Sequence, residues 1–293
     1  MFSLDIEAAG DESTTFIVKK FIMQKLNALM QSICINKKIF LIFNFIIIYI
    51  CTQNNRLVKK IRYLSVRFKE KIKEWEIPLF RSAIIHVAGK EHVLFHNHLE
   101  DGYLYKYPLI QYKTIQQKPA IICLDKGIEE IYHFFNKKSW DLMLNDKLYK
   151  SEIDDLKLNN HVLQVWDSFF QYKIVKWLPL NEKNYATYNS IHDESERKNF
   201  LENILCGNIL SFAKGVDWRV EKEIKCRIKK ITNIRWIGYK QTKLLSMDIH
   251  FDSNVSIPYY IGLGKGASKG YGIVKKDRCD SEVEEKEKEK EWK

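Results

Sequence analysis

Residues 262–272 read Gly262-Leu263-Gly264-Lys265-Gly266-Ala267-Ser268-Lys269-Gly270-Tyr271-Gly272, or GLGKGASKGYG, and hold five of the chain's twelve glycines. Spacing excludes two familiar nucleotide loops. A P-loop needs G-x-x-x-x-G-K-[ST], which is absent here. Gly262, Gly264 and Gly266 give G-x-G-x-G, where a dinucleotide fingerprint needs G-x-G-x-x-G opening a helix. Only Ile273-Val274 and a charged tail follow Gly272, so no crossover helix fits behind it. The stretch reads as a loop whose backbone can approach something closely, flanked by Lys265 and Lys269 and followed by a short apolar strand.

Upstream of the loop, two strands are expected at roughly 220–233 and 236–251, joined by a tight turn near Asn233. In the first of them Ile224, Cys226 and Ile228 alternate with Lys225, Arg227 and Lys229, giving one apolar face and one cationic stripe. Lys230, Arg235, Lys240 and Lys243 extend the stripe toward a surface suited to phosphates, the plainer reading being a solvated face. Residues 182–214 read as helical, with Phe200, Leu201, Ile204 and Leu205 at helical spacing, and HVLQVWDSFFQYKIVKWLPL from His161 reads as one long aromatic strand. This order is β-α-β-β-loop-β, the glycine loop standing where a second helix would be.

The preceding stretch repeats the order. Leu64, Val66 and Phe68 alternate with polar residues as a half-buried strand, Pro78 opens the helix PLFRSAIIHVAG, and Gly89 stops it. YLYKYPLIQYKTI is an edge or bulged strand because of Pro108, KPAIICLD a compact strand, and GIEEIYHFFNKKSWDLML a helix with a closing strand. The expected fold class is α+β, two tandem ferredoxin-like domains at 58–155 and 156–276, with a charged tail at 277–293 that reads as disordered. Residues 1–57 stand apart. Ile39–Cys51, IFLIFNFIIIYIC, is too short for a spanning helix, which leaves an interfacial anchor, an extra core helix, or upstream sequence foreign to the functional protein.

Lys and Arg total 48 against 37 acids, net +11, beside 15 Tyr, 16 Phe and 7 Trp, a pairing that suits nucleic acid with bases to stack. The six cysteines, Cys34, Cys51, Cys123, Cys206, Cys226 and Cys279, form no C-x-x-C pair, so neither a zinc site nor a disulfide framework is indicated and a reducing cytoplasm is expected.

The spacing Gly262-φ-Gly264, five residues, Gly270-φ-Gly272 resembles the C-terminal signature of the CRISPR-associated RAMP proteins, and more narrowly of the sixth Cas family, which cuts precursor CRISPR RNA within its repeats. The segments FRSAI at 80–84 and HNHLEDGYLYKYPLIQYK at 96–113 extend the resemblance, which spans roughly three-quarters of the chain, from about 59 to 276. It implies a cut without metal or cofactor, in which the 2′-hydroxyl attacks its neighbouring phosphate and leaves a 2′,3′-cyclic phosphate and a 5′-hydroxyl. It implies a histidine after the first helix as acid or base, the place held by His96 and His98. The residues suit that chemistry, since imidazole is a general acid and base near neutrality and cations stabilise the phosphorane. In an extended His96-Asn97-His98 both rings would point one way; Tyr103 or Tyr105 would donate a hydrogen bond and Lys106 would neutralise charge. Gly262, Gly264, Gly270, Gly272 and the cationic stripe would hold the RNA. His92 is a third candidate, His86 reads as a packed or helix-end residue, and the doublet His192-Asp193 lacks the further histidines of a metal-binding HD site. The implied partners are the repeat RNA and a CRISPR effector complex, with no DNA. A non-cutting RNA-binding subunit and a basic protein on a membrane surface are the rival readings.

Overall fold

The computed structural model describes residues 58–277 apart from 97, 100, 101, 104, 105 and 240, with the backbone alone at 98, 99, 102 and 103. Ile39–Cys51, Cys34, Cys279, Tyr105, Lys240 and residues 278–293 of the tail therefore lie outside the described residues. Those described fall within one compact unit, Leu57–Lys293.

The first sheet is built from β1 (Lys59–Phe68), β4 (Ile110–Ile115), β5 (Lys118–Leu124) and β8 (Ile153–Leu163), in the order β4-β5-β1-β8 with every pair antiparallel. Helices α1 (Ile77–Ala88) and α2 (Lys126–Phe135) supply the two crossovers. This is the split ferredoxin-like order. The alternation in β1 holds: Leu64, Val66 and Phe68 are buried in a core with Phe80 and Ile84 of α1 and Ile131 and Phe134 of α2. Phe80 anchors α1 by edge contacts with Phe68 at 5.5 Å, Tyr149 at 6.0 Å and Tyr112 at 6.3 Å between ring centroids.

The second sheet repeats the topology with β9 (Val165–Trp177), β10 (Cys226–Tyr239), β11 (Thr242–Val255) and β12 (Ile273–Lys276), ordered β10-β11-β9-β12. Its helical layer is α3 (Glu182–Ser190) and α4 (Glu194–Gly215), with Leu201, Leu205, Ile209 and Phe212 buried at helical spacing. Asp193 caps α4, accepting from the Glu196 amide at 2.8 Å, which gives the His192-Asp193 doublet a structural role. A loop stands where the second helix would be. One core joins the halves, with Ile61, Tyr63, Ile122 and Leu124 of the first sheet packed with Trp177 and Ile249 of the second and Leu205 of α4.

Three expected boundaries move. DLML forms no closing strand: β6 (Leu142–Leu144) pairs only with β7 (Lys147–Tyr149), and β8 closes the sheet, running past the expected division at 155/156. The long aromatic strand is two strands separated at Gln164, since β8 pairs with β1 and β9 with β11. Asn233 makes a bulge and no hairpin turn: it takes φ 51° at a register shift inside β10 and donates to Asp248 at 2.9 Å. His86 lies exposed in the last turn of α1, a helix-end residue without packing. No helix among the described residues is long and apolar enough to cross a membrane.

Candidate active site

The site begins where α1 ends. Gly89 at φ 116° stops the helix, and the chain turns through a short 3-10 segment, Val93–Phe95, whose buried Phe95 anchors it. Two neighbouring carbonyls are then gripped from different elements. Tyr112 of β4 donates its hydroxyl to Phe95 O at 3.3 Å, and Arg81 of α1 donates Nη2 to His96 O at 2.7 Å. The His96 ring lies 2.8 Å through Nε2 from Lys90 O. A carbonyl can only accept, so that contact assigns the proton of the neutral ring to Nε2 and the basic lone pair to Nδ1.

His96 has φ −128° and ψ −12°, a turn residue outside any strand, so the extended His96-Asn97-His98 pattern does not hold. A hairpin follows instead, β2 (His98–Leu99) and β3 (Gly102–Tyr103), whose register sets His98 opposite Tyr103. Lys106 is exposed beside Tyr107, whose hydroxyl donates to Gly262 O at 2.8 Å.

Arg81 joins this loop to the glycine loop. Its guanidinium carbon is 5.9 Å from the Tyr112 ring centre, and burial draws its pKa below the arginine range while the phenols of Tyr112 and Tyr239 work the opposite way. Tyr239, at the end of β10, carries Lys265 Nζ at 5.6 Å and Lys269 Nζ at 5.7 Å from its ring centre, with Tyr271 edge-on at 5.6 Å. Burial raises the pKa of both phenols, which keeps them protonated as donors. One neighbourhood thus holds a guanidinium, two ammonium groups and two phenols, and the guanidinium also grips the backbone of the loop that carries His96. Beside it a cleft of about 490 Å³ is lined by Trp75, Thr114, Arg235, Lys269, Gly270 and Tyr271. Trp75 is 61% exposed there, an indole on which a base can stack.

The glycines serve mainly another purpose than the open phosphate cradle expected of them. Gly262 is buried, its amide donating to Gln111 Oε1 at 2.8 Å and its carbonyl taken by Tyr107. Gly272 donates to Lys176 O and accepts from the Leu263 amide, both at 2.9 Å. Gly264, at φ 84°, sits against Asn208 and Trp177. Tyr112 N donates to Ser268 O at 3.1 Å, so the loop lies along the edge of β4. Gly270, Lys265 and Lys269 alone of the loop's expected contacts face the cleft or the cationic cluster.

The cationic stripe divides. Arg227, Lys229 and Lys230 belong to the far end of β10, with Lys225 just before it, and at about 3.3 Å per residue Arg227 lies on the order of 40 Å along the strand from Tyr239. Lys229 pairs with Asp252 at 3.1 Å, Lys225 with Glu223 at 3.5 Å, and Arg227 stacks over Phe169 at 4.5 Å. Arg235 lines the cleft, and Lys243 pairs opposite Gly238 near the hairpin end. No pattern in the sequence points to Arg81 or Tyr239. FRSAI contained Arg81, but its partner, a backbone carbonyl fifteen residues on, leaves no sequence signal.

Beneath the loop a charge is hidden. Lys113 is fully buried and donates to Gln111 Oε1 at 2.9 Å, and burial pushes its pKa from 10.5 down to about 7. Between these values the unfolded chain binds a proton that the folded chain does not, so this group makes stability rise with pH from 7 to 10.5. Lys113→Met is therefore expected to stabilise the protein by about 2–3 kcal/mol at or below pH 7, an advantage that fades to none near pH 10.5. Denaturant unfolding of both proteins across that range checks it.

Models of the Cas6b N-terminal and C-terminal domains match residues 59–162 and 164–277. A crystal structure of Cas6b is 26% identical with a TM-score of 0.65, over 75% of this chain and 100% of that one. The fold is also that of the CRISPR RNA processing endoribonuclease Cas6b, 24% identical with a TM-score of 0.56 over 75% and 100% of the two chains. An uncharacterized protein of Methanocaldococcus jannaschii, MJ0978, is 35% identical over 135 residues, 46% of this chain and 90% of that protein.

Proposed function

The chain belongs to the Cas6b family, and from that premise we propose that it is an endoribonuclease that cuts precursor CRISPR RNA within its repeats, without a metal ion. The observation that carries this reading is the grip of Arg81 on His96 next to Tyr239, Lys265 and Lys269. An imidazole-bearing loop held by the same arginine that interacts with Tyr239, on which both lysines sit, supports the reading.

His96 Nδ1 takes the proton of the 2′-hydroxyl at the scissile nucleotide. The resulting oxygen attacks the adjacent phosphorus, forming the fifth bond of a phosphorane whose charge Lys265, Lys269 and Lys106 offset. The bond to the 5′ oxygen breaks, and that oxygen takes a proton from His98, assisted by Tyr103 or Tyr105. The products are a 2′,3′-cyclic phosphate and a 5′-hydroxyl, with no net consumption of water or protons. Trp75 and Arg235 hold the flanking RNA, and the exposed cations of the far end of β10 extend the path. Delivery of the product to a CRISPR effector complex belongs to the same proposal.

The test is repeat RNA incubated with the protein in excess EDTA. Cutting with a cyclic phosphate end is expected; tight binding without cutting would make the protein an RNA-holding subunit. Arg81 acts as a positioning residue, through the His96 carbonyl. Arg81→Met is expected to lower kcat about ten- to hundredfold with KM nearly unchanged, because small misplacement of a catalytic group costs rate. A matching rise in KM would assign Arg81 to substrate binding.

A further inference from the structure

A second group of chemistry-bearing side chains lies on the other flank of the histidine loop, between that loop and α2. Glu130 and His133 are three residues apart on α2, so they leave the same side of the helix, next to its buried face of Gly127, Ile131 and Phe134. His92 meets them from the turn after α1. Its Nδ1 is 3.0 Å from Glu130 Oε1, and its ring stacks on that of His133 with centroids 3.8 Å apart. One ligand atom from each of the three lies within 4.8 Å of the other two, the only such group with metal-binding donors among the described residues. Glu91 adds a second carboxylate, 3.7 Å from His92 Nε2.

Two imidazoles and a carboxylate are the donor set of open zinc sites, and they disfavour Mg²⁺ and Ca²⁺, which take oxygen ligands. Around a tetrahedral ion at about 2.0–2.1 Å, donors lie about 3.4 Å apart. Contraction from 4.8 Å is within reach of side-chain rotation, because His133 is exposed and Glu130 only half-buried. Glu130 and Glu91 also bring negative charge beside the two imidazoles. We propose that His92, Glu130 and His133 bind one divalent ion of the zinc class, with a fourth position open to water. His92 is followed by the 3-10 turn and then His96, and its ring packs edge-on against Phe95 at 6.3 Å. The ion would thus fasten the histidine loop to α2 without touching the reacting phosphate.

The experiment titrates EDTA-stripped full-length protein with ZnCl₂ by calorimetry, with Co²⁺ as a spectroscopic probe. Expected are one ion per chain, a visible Co²⁺ absorption band and an upward shift in unfolding temperature on adding Zn²⁺. His133→Ala, at an exposed helix position, should lose at least tenfold in affinity with an unchanged circular dichroism spectrum, and Glu130→Gln should also weaken binding. His192→Ala, at an exposed site elsewhere, should bind as wild type. No saturable binding by folded wild type, or equal affinity in His133→Ala and wild type, overturns the site. None of these readouts depends on RNA cutting, so the zinc site and the nuclease reading fail separately.

Discussion

Replacing His96 by alanine is expected to lower single-turnover cleavage of repeat RNA about 10²–10⁴-fold, the range over which a positioned general base contributes. The fold should survive. Arg81 holds the His96 carbonyl, which the variant keeps, and loss of the side-chain bond to Lys90 O costs about 1 kcal/mol. RNA affinity should change less than about threefold, since charge attraction to phosphates dominates affinity and Lys265, Lys269 and Arg235 are retained. Added imidazole should restore part of the rate. Full activity in the His96→Ala, His98→Ala double variant would remove the assignment.

Gly272→Ala is expected to cost about 4 kcal/mol or more and to remove most folded protein at 37 °C. A Cβ at residue 272 would stand 1.9 Å from the Leu263 carbonyl oxygen, a backbone atom that cannot swing aside, and φ is 63°. Relief requires moving the two segments apart, which breaks the bonds to Lys176 O and from the Leu263 amide. Gly207→Ala is the control: it is a helical glycine with open space at the Cβ position, and should be neutral or slightly stabilising. Thermal unfolding of the two variants separates them. Equal stability would show that the close approach of residues 263 and 272 is not required.

The topology was legible because its signals are local and periodic. Alternation marks β1 and the apolar face at Cys226 and Ile228, and the five glycines between residues 262 and 272 leave a loop in the last crossover. Boundaries failed where a choice between partners decides them. Ile153–Leu163 is mostly exposed, its Leu156, Leu158 and Val162 included, and only its pairing with β1 makes it a strand of the first sheet. Asn233 advertises a turn through its tolerance of positive φ, which a bulge uses equally well.

The candidate site was half legible. The histidine loop and the lysines of the glycine loop were recognisable as residue types, but their nearness is a tertiary fact. It depends on the loop docking along β4 through Gln111, Tyr107 and Ser268, and on Arg81 reaching a carbonyl. The glycine signature therefore means more than a permissive backbone. It is a packing device that docks the segment carrying Lys265 and Lys269 along β4, the strand whose Tyr112 also holds the Phe95 carbonyl. His92, Glu130 and His133 illustrate the same limit: two of the three are near in sequence, and the third arrives only through the fold.

The proposed nucleophile is a 2′-hydroxyl of the RNA, with the base supplied by the protein. Repeat RNA carrying a single 2′-deoxy nucleotide at the scissile position, incubated with the full-length protein in EDTA, tests this assignment most directly. This RNA is expected to bind with the affinity of the all-ribose substrate and remain uncut, while the all-ribose RNA is cleaved to a 2′,3′-cyclic phosphate. Cleavage of the deoxy substrate at the same bond would contradict it.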